Sequence, residues 1–212
     1  MSNVAPIRHR VRRSTEPRIV SQSRPSTHVA VFESELGWIA VATVARRLIG
    51  VTFGHAEREA ALAALDSQGG VHHSATSQAA TTLNKDEAPW LADICARFKA
   101  FAAGEFEDFR DVEIDDGHLT PFERSVVQAC RAIPYGETMS YGQLATKVGR
   151  PGAARAVGRV MATNRFPLVV PCHRVLAASG RLGGYSAPQG LAMKRRLLAM
   201  EGGEVRPPKR PK

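Results

Sequence analysis

Residues 165 to 175 read Arg-Phe-Pro-Leu-Val-Val-Pro-Cys-His-Arg-Val, and Cys172 is the one strong nucleophile in that stretch. A thiol reacts as its thiolate, which a neighbouring imidazole or guanidinium favours. His173 and Arg174 supply both groups. Leu168-Val169-Val170 is apolar enough to be buried and Pro171 ends the run, so the sulfur is expected at the edge of a rigid support. Adjacent side chains on a strand point apart, so His173 is expected to reach the thiol through a turn or a bridging water. A buried cysteine beside a surface histidine is the simpler reading of a bare Cys-His pair. Further on, Leu191, Lys194, Leu197, Leu198 and Glu201 recur at helical spacing, with Gly202 as the cap. Glu201 thus shares an inward stripe, although a carboxylate in the last turn opposes the helix dipole. Such a group implies a partner, and His173 is the candidate, giving a nucleophile–base–orienter set of Cys172, His173 and Glu201. A frayed, exposed helix end is the alternative for Glu201.

These residues need elements to hold them. Thr120 with Pro121 and Glu123 forms a capping box that starts a helix. On it Phe122, Val126, Val127 and Cys130 share one face, and Pro134 stops it. Cys130 reads as a small core residue. Ser140 caps a second helix with Tyr141, Leu144, Ala145 and Val148 at i, i+3, i+4, i+7. Gly149-Arg150-Pro151-Gly152 breaks the chain before a third helix over Ala153–Thr163. Two short helices around a Gly-containing turn fit a helix-turn-helix. On the third, Ala153, Ala156, Val157, Val160 and Met161 form an apolar stripe, while Arg155 and Arg159 share another face. A packed helical hairpin with solvated arginines is the plainer reading, but the small residues would let a backbone approach a partner closely.

Before residue 118 the pattern differs. Val29–Glu33, Trp38–Val44 and Leu48–Phe53 predict an antiparallel meander. Ala56–Leu65 and Pro89–Ala103 predict helices, Gln68–Asn84 a long loop, and Asp108–Ile114 a strand. A linker at Asp115-Asp116-Gly117-His118 marks the expected domain boundary. Charge separates the same way. Residues 28–118 hold fifteen acidic and seven basic side chains, and residues 119–202 hold twelve basic and three acidic. The second segment is therefore the one suited to a polyanion. Residues 1–27, with six Arg and one Glu, and the basic residues 203–212 read as disordered tails. Three cysteines, Cys95, Cys130 and Cys172, cannot pair completely, which favours free thiols and a reducing compartment. No eighteen-residue apolar run suggests a membrane span. His72, His73 and Cys95 lack a ligand spacing, so no metal is expected.

Several of these motifs together resemble the O6-alkylguanine-DNA alkyltransferases. The resemblance rests on Pro171-Cys172-His173-Arg174-Val175, with Asn164 eight residues and Arg155 seventeen residues before the cysteine. Gly136-Glu137-Thr138-Met139-Ser140-Tyr141, Gly184-Tyr185-Ser186 and Leu197-Leu198-Ala199-Met200-Glu201-Gly202 fit the pattern too. It covers residues 119–202, and residues 28–112 resemble the family's N-terminal domain only in outline. The implied fold is α+β. A small RNase H-like α/β domain at 28–116 would precede a mostly helical domain at 117–202 bearing the helix-turn-helix. The implied activity is irreversible, single-turnover transfer of an alkyl group from O6-alkylguanine, and O4-alkylthymine, in double-stranded DNA to Cys172. His173 would take the thiol proton through a water, oriented by Glu201, and Asn164 would brace the Cys turn. Tyr141 would donate toward guanine N3. Met161 and Tyr185 would wall the pocket, the backbone at Ser186 would bind O6, and the carbonyls of Cys172 and Val175 would read the exocyclic amine. Ala154, Arg155, Gly158, Arg159 and Arg174 would face DNA, with Arg155 filling the gap left by the extruded nucleotide. The resemblance implies a cofactor-free monomer, cytoplasmic and nucleoid-associated.

Other classes fit less of the chain. A damage-recognition protein without chemistry would not need Cys172. A cysteine hydrolase using Cys172, His173 and Glu201 would leave the helix-turn-helix unexplained. A transcription regulator would call for a Cys-rich sensing module, which this chain lacks.

Overall fold

A computed structural model describes residues 27–68 and 87–202. The expected arm and tail, all but Thr27 of the first, most of the Gln68–Asn84 loop, and His72 and His73 lie outside the described residues. The architecture is α+β. Strands β1 (Thr27–Phe32), β2 (Trp38–Val44) and β3 (Arg47–His55) form an antiparallel meander in the order β1-β2-β3. Helix α1 (Arg58–Ser67) packs on β2 and β3, starting two residues later than its sequence suggests. Helix α2 (Glu87–Ala102) follows. Its Phe98 and Phe101 rings pack on Phe109, at centroid separations of 4.8 and 5.9 Å.

The expected strand at Asp108–Ile114 is absent; a single bridge, Leu48 to Ile114, remains. Arg131 explains the difference. Its guanidinium donates to the carbonyls of Phe109, Arg110 and Val112 at 3.0, 3.1 and 2.8 Å, so these groups turn inward rather than toward a neighbouring strand. Phe109 adopts φ 50° and is fully buried, so the chain bends at that point.

Helix α3 (Pro121–Arg131) begins with the predicted capping box of Thr120 and Glu123 and buries Val126, Val127 and Cys130. Strand β4 (Met139–Ser140) leads into α4 (Tyr141–Lys147), where Ser140 and Gln143 cap each other. A turn with Gly149 and Gly152 at positive φ joins it to α5 (Ala154–Ala162). On α5 Val157, Val160 and Met161 are buried, whereas Ala156 is exposed, which narrows the expected stripe. A short strand β5 (Val175–Leu176) pairs in parallel with β4, and α6 (Leu191–Met200) closes the described chain. One apolar core runs from Leu36 and Val51 through Phe98 and Val126 to Leu197, so both halves share an interior. The Val51 amide donates to the Arg165 carbonyl at 2.9 Å, joining β3 to the segment before Cys172. Among the described residues, no helix is long and apolar enough to cross a membrane.

Candidate active site

Cys172, His173 and Arg174 form one 3₁₀ turn, not an extended strand edge. Leu168 at φ 73° folds the preceding apolar run into a loop, in which the Val170 amide donates to the Phe166 carbonyl at 2.7 Å. Asn164 holds this loop from both sides. Its Nδ2 donates to the Val170 carbonyl at 2.9 Å, and its Oδ1 accepts from the Phe166 amide at 3.0 Å. Within this turn the side chains of His173 and Arg174 both reach Glu201, while Cys172 borders open cavities.

Glu201 sits where α6 ends and is buried, as its helical register predicts. His173 Nε2 lies 2.7 Å from Glu201 Oε1. Arg174 grips the same carboxylate with Nε to Oε2 at 2.8 Å and a terminal nitrogen to Oε1 at 2.9 Å, and also donates to the Ile133 carbonyl at 2.8 Å. The Gly136 amide gives Glu201 Oε2 a further contact at 3.3 Å. Gly136 has φ +78°, and a Cβ there would stand 2.9 Å from the Glu201 carbonyl, so glycine alone allows this approach. Paired, bidentate contacts of this kind offset the desolvation of a buried carboxylate.

Protonation follows from these contacts. Burial works against the Glu201 carboxylate, but the hydrogen bonds and charges of its partners outweigh it and hold the pKa at about 2. Burial also lowers the His173 pKa, opposed by Glu201, so the imidazole is neutral near pH 7. Arg174 is then the cation that keeps Glu201 ionised. With Nε2–H directed at the carboxylate, Nδ1 carries the lone pair. That atom is buried and has no hydrogen-bond partner among the described residues, which leaves it free to accept a proton. Burial pushes the Cys172 thiol up, countered by Asn164, Lys194 and Tyr185.

Lys194 was a site residue that spacing alone did not single out. It is fully buried, its Nζ donates to the Val175 carbonyl at 2.6 Å, and burial brings its pKa down to about 8. It also lies 5.8 Å from the Tyr141 ring centre and 5.9 Å from that of Tyr185. The signal was available, since Lys194 shares the inward stripe that pointed Glu201 at the core.

Cys172 is 5% exposed, yet it lines two cavities. The first, of about 650 Å³, is bounded by Tyr141, Ala154, Arg155, Gly158, Met161, Tyr185 and Ser186. All seven of these expected residues thus come together around the thiol on the α5 side, with Arg155 exposed at the rim. The second, of about 710 Å³, lies between β3 and the Asn164–Pro167 segment and reaches Cys172, Tyr185 and Ser186 from behind. Arg159 is exposed on α5 and lines neither cavity. One expectation is corrected. Arg174 is not a DNA-facing side chain: it is 3% exposed, held by Glu201 and Ile133. Val175 is fully buried and lines neither cavity, and its carbonyl accepts from Lys194.

The family model described as the 6-O-methylguanine DNA methyltransferase DNA binding domain matches residues 121–203. A methylated-DNA–protein-cysteine methyltransferase of Mycolicibacterium paratuberculosis is 51% identical over 102 residues, 48% of this chain and 59% of the relative. The chain thus matches about three fifths of the length of that curated relative. Among solved structures, Mycobacterium tuberculosis OGT in complex with DNA is similar with a TM-score of 0.60 and 32% identity, covering 82% of this chain and 93% of that one. O6-methylguanine-DNA methyltransferase from Pyrococcus kodakaraensis gives a TM-score of 0.57 and 28% identity, over 84% of this chain and 99% of its own. With the Cys172 turn, the buried carboxylate beneath it and a third of the residues shared across nearly all of a solved relative, this chain belongs to the methylated-DNA–protein-cysteine methyltransferase family.

Proposed function

We propose that the protein repairs double-stranded DNA by moving an alkyl group from guanine O6, or thymine O4, onto Cys172. The observation that carries this reading is the meeting of two features at one sulfur. Behind Cys172 is the buried chain of His173, Glu201 and Arg174, and in front is a base-sized cavity rimmed by α5. His173 Nδ1 takes the thiol proton through a water, while Glu201 fixes the imidazole. The sulfur attacks the alkyl carbon, the S–C bond forms as the O6–C bond breaks, and the electron pair leaves on the guanine oxygen. The proton ends on the departing base, with Tyr141 donating toward N3. A thioether has no hydrolytic exit, so each molecule acts once.

The lesion lies inside a duplex, where no side chain can make an in-line displacement, so the nucleotide is rotated out at a cost of a few kcal/mol. In this reading α4 and α5 form a helix-turn-helix that enters the minor groove. Ala154 and Gly158 permit close approach, Arg159 meets phosphate, and Arg155 fills the vacated stack. Met161, Tyr185 and Ser186 bound the flipped base. Residues 28–116 form an RNase H-like domain and 117–202 the acceptor domain, acting as a monomer without cofactor on cytoplasmic DNA.

The test is incubation with DNA carrying a labelled O6-methyl group, followed by peptide mapping. One label per protein on Cys172 is expected, lost in Cys172→Ala while DNA binding persists. Label on Cys95 or Cys130, or repeated turnover, refutes the reading.

A further inference from the structure

Residues 183–190 carry Tyr185 and Ser186 toward α6 without forming a helix or strand. Tyr185 and Ser186 line both cavities, so this short segment is a thin wall between about 650 Å³ of space on the α5 side and about 710 Å³ behind it. Tyr185 and Ala187 pack against the core, but with open space on both faces the wall has fewer dispersion contacts than a packed segment, so hydrogen bonds weigh more in holding it. The Gly190 amide donates to the Ala187 carbonyl at 2.7 Å, which closes a turn within the loop but fastens it to nothing else. The fastening comes from Gln189, whose Nε2 donates to the Gly54 carbonyl near the end of β3. Gly54 is suited to the contact: its φ is +82°, and a Cβ there would stand 2.8 Å from Gln189 Oε1 and 3.2 Å from Met193 Cε.

We propose that Gln189 is a positioning residue that clamps the pocket loop to β3 and so limits the size of the alkyl group Cys172 accepts. The proposal rests on the alkyl-transfer reading above. With the clamp made, Tyr185 and Ser186 stay against the α5 side and the pocket is narrow. With it broken, the loop retreats into the cavity behind, and a benzyl group gains room that a methyl group does not use. Specificity for lesion size is then set partly by the N-terminal sheet, at an atom remote from the reacting sulfur.

Gln189→Glu keeps the shape of the side chain but loses the donor, whereas Gln189→Lys keeps a donor. Arg196→Ala is the control, because Arg196 makes a separate tie to the N-terminal half, donating to the Glu35 carbonyl in the β1–β2 turn at 2.6 Å. Rate constants are measured on two duplexes that differ only in carrying O6-benzylguanine or O6-methylguanine. Losing one hydrogen bond of ordinary net strength shifts a population by roughly threefold to tenfold. The benzyl-to-methyl rate ratio is expected to rise by that factor in Gln189→Glu, and to stay near the parent value in Gln189→Lys and Arg196→Ala. An unchanged ratio in Gln189→Glu, an equal rise in Arg196→Ala, or a Gln189→Lys ratio matching that of Gln189→Glu overturns the clamp. A parent protein that takes label from neither duplex overturns the alkyl-transfer reading instead.

Discussion

Replacing Glu201 by Gln tests the buried chain behind the thiol, because the shape survives and the charge does not. The Gln oxygen still accepts from His173, so the main loss is the counter-charge of Arg174, which stays buried. The Glu201 pKa stands at about 2 against an ordinary 4.5. At about 1.4 kcal/mol per pH unit, and allowing for residual solvent screening at the helix end, the contribution is on the order of 2–3 kcal/mol. For a chain of this size that lowers Tm by about 5–10 °C at pH 7. The pH dependence is more diagnostic than the size. A carboxylate whose pKa is lower folded than unfolded contributes fully above its ordinary pKa, and the contribution disappears as pH falls toward the folded value. The carboxylate's share of the Tm gap between parent and Glu201→Gln is therefore constant from pH 7 to about 5, and the gap narrows between about 4.5 and 2. His173 adds to the gap rather than cancelling: burial lowers its pKa in both proteins, but only in the parent does the Glu201 charge oppose this, so below the ordinary 6.5, where the unfolded chain takes up the proton first, the variant loses at least as much stability as the parent. Thermal melts of both proteins across pH 3–7 provide the measurement. A gap below 2 °C at pH 7, or one that does not narrow on acidification, refutes the reasoning.

Two further predictions follow from side chains at the rim and in the connecting segment. Arg155→Ala slows transfer from lesions in duplex DNA much more than reaction with free O6-benzylguanine, because only the duplex requires a base to be extruded; equal losses on the two substrates would remove that role. Arg131→Ala strands the carbonyls of Phe109, Arg110 and Val112 and costs about 2–3 kcal/mol of stability in urea unfolding; a loss under about 0.5 kcal/mol would show that water replaces the guanidinium freely.

Local rules carried the helical half of the molecule. Thr120 with Glu123, and Ser140, declare helix starts through side-chain chemistry that operates within one turn, so they are legible from a few residues. The stripe on α6 placed Glu201 at the core for the same reason. Readings failed where the deciding partner was distant in sequence. Asp108–Ile114 has the composition of a strand, but its carbonyls are claimed by Arg131, about twenty residues away. Arg174 looked like a surface cation until Glu201, 27 residues on, withdrew it into the interior. The Lys194 donor to the Val175 carbonyl is likewise invisible in the residues around Val175. The Gln189–Gly54 contact spans 135 residues and has no local signature.

The register of α6 has a consequence for how such a gene can change. Lys194 and Glu201 sit seven residues apart on one helical stripe, each fixed to a different part of the Cys172 turn. Inserting or deleting a single codon between them would rotate one relative to the other by about 100° and carry the carboxylate away from both its partners. Descent with small insertions is thus barred from that interval.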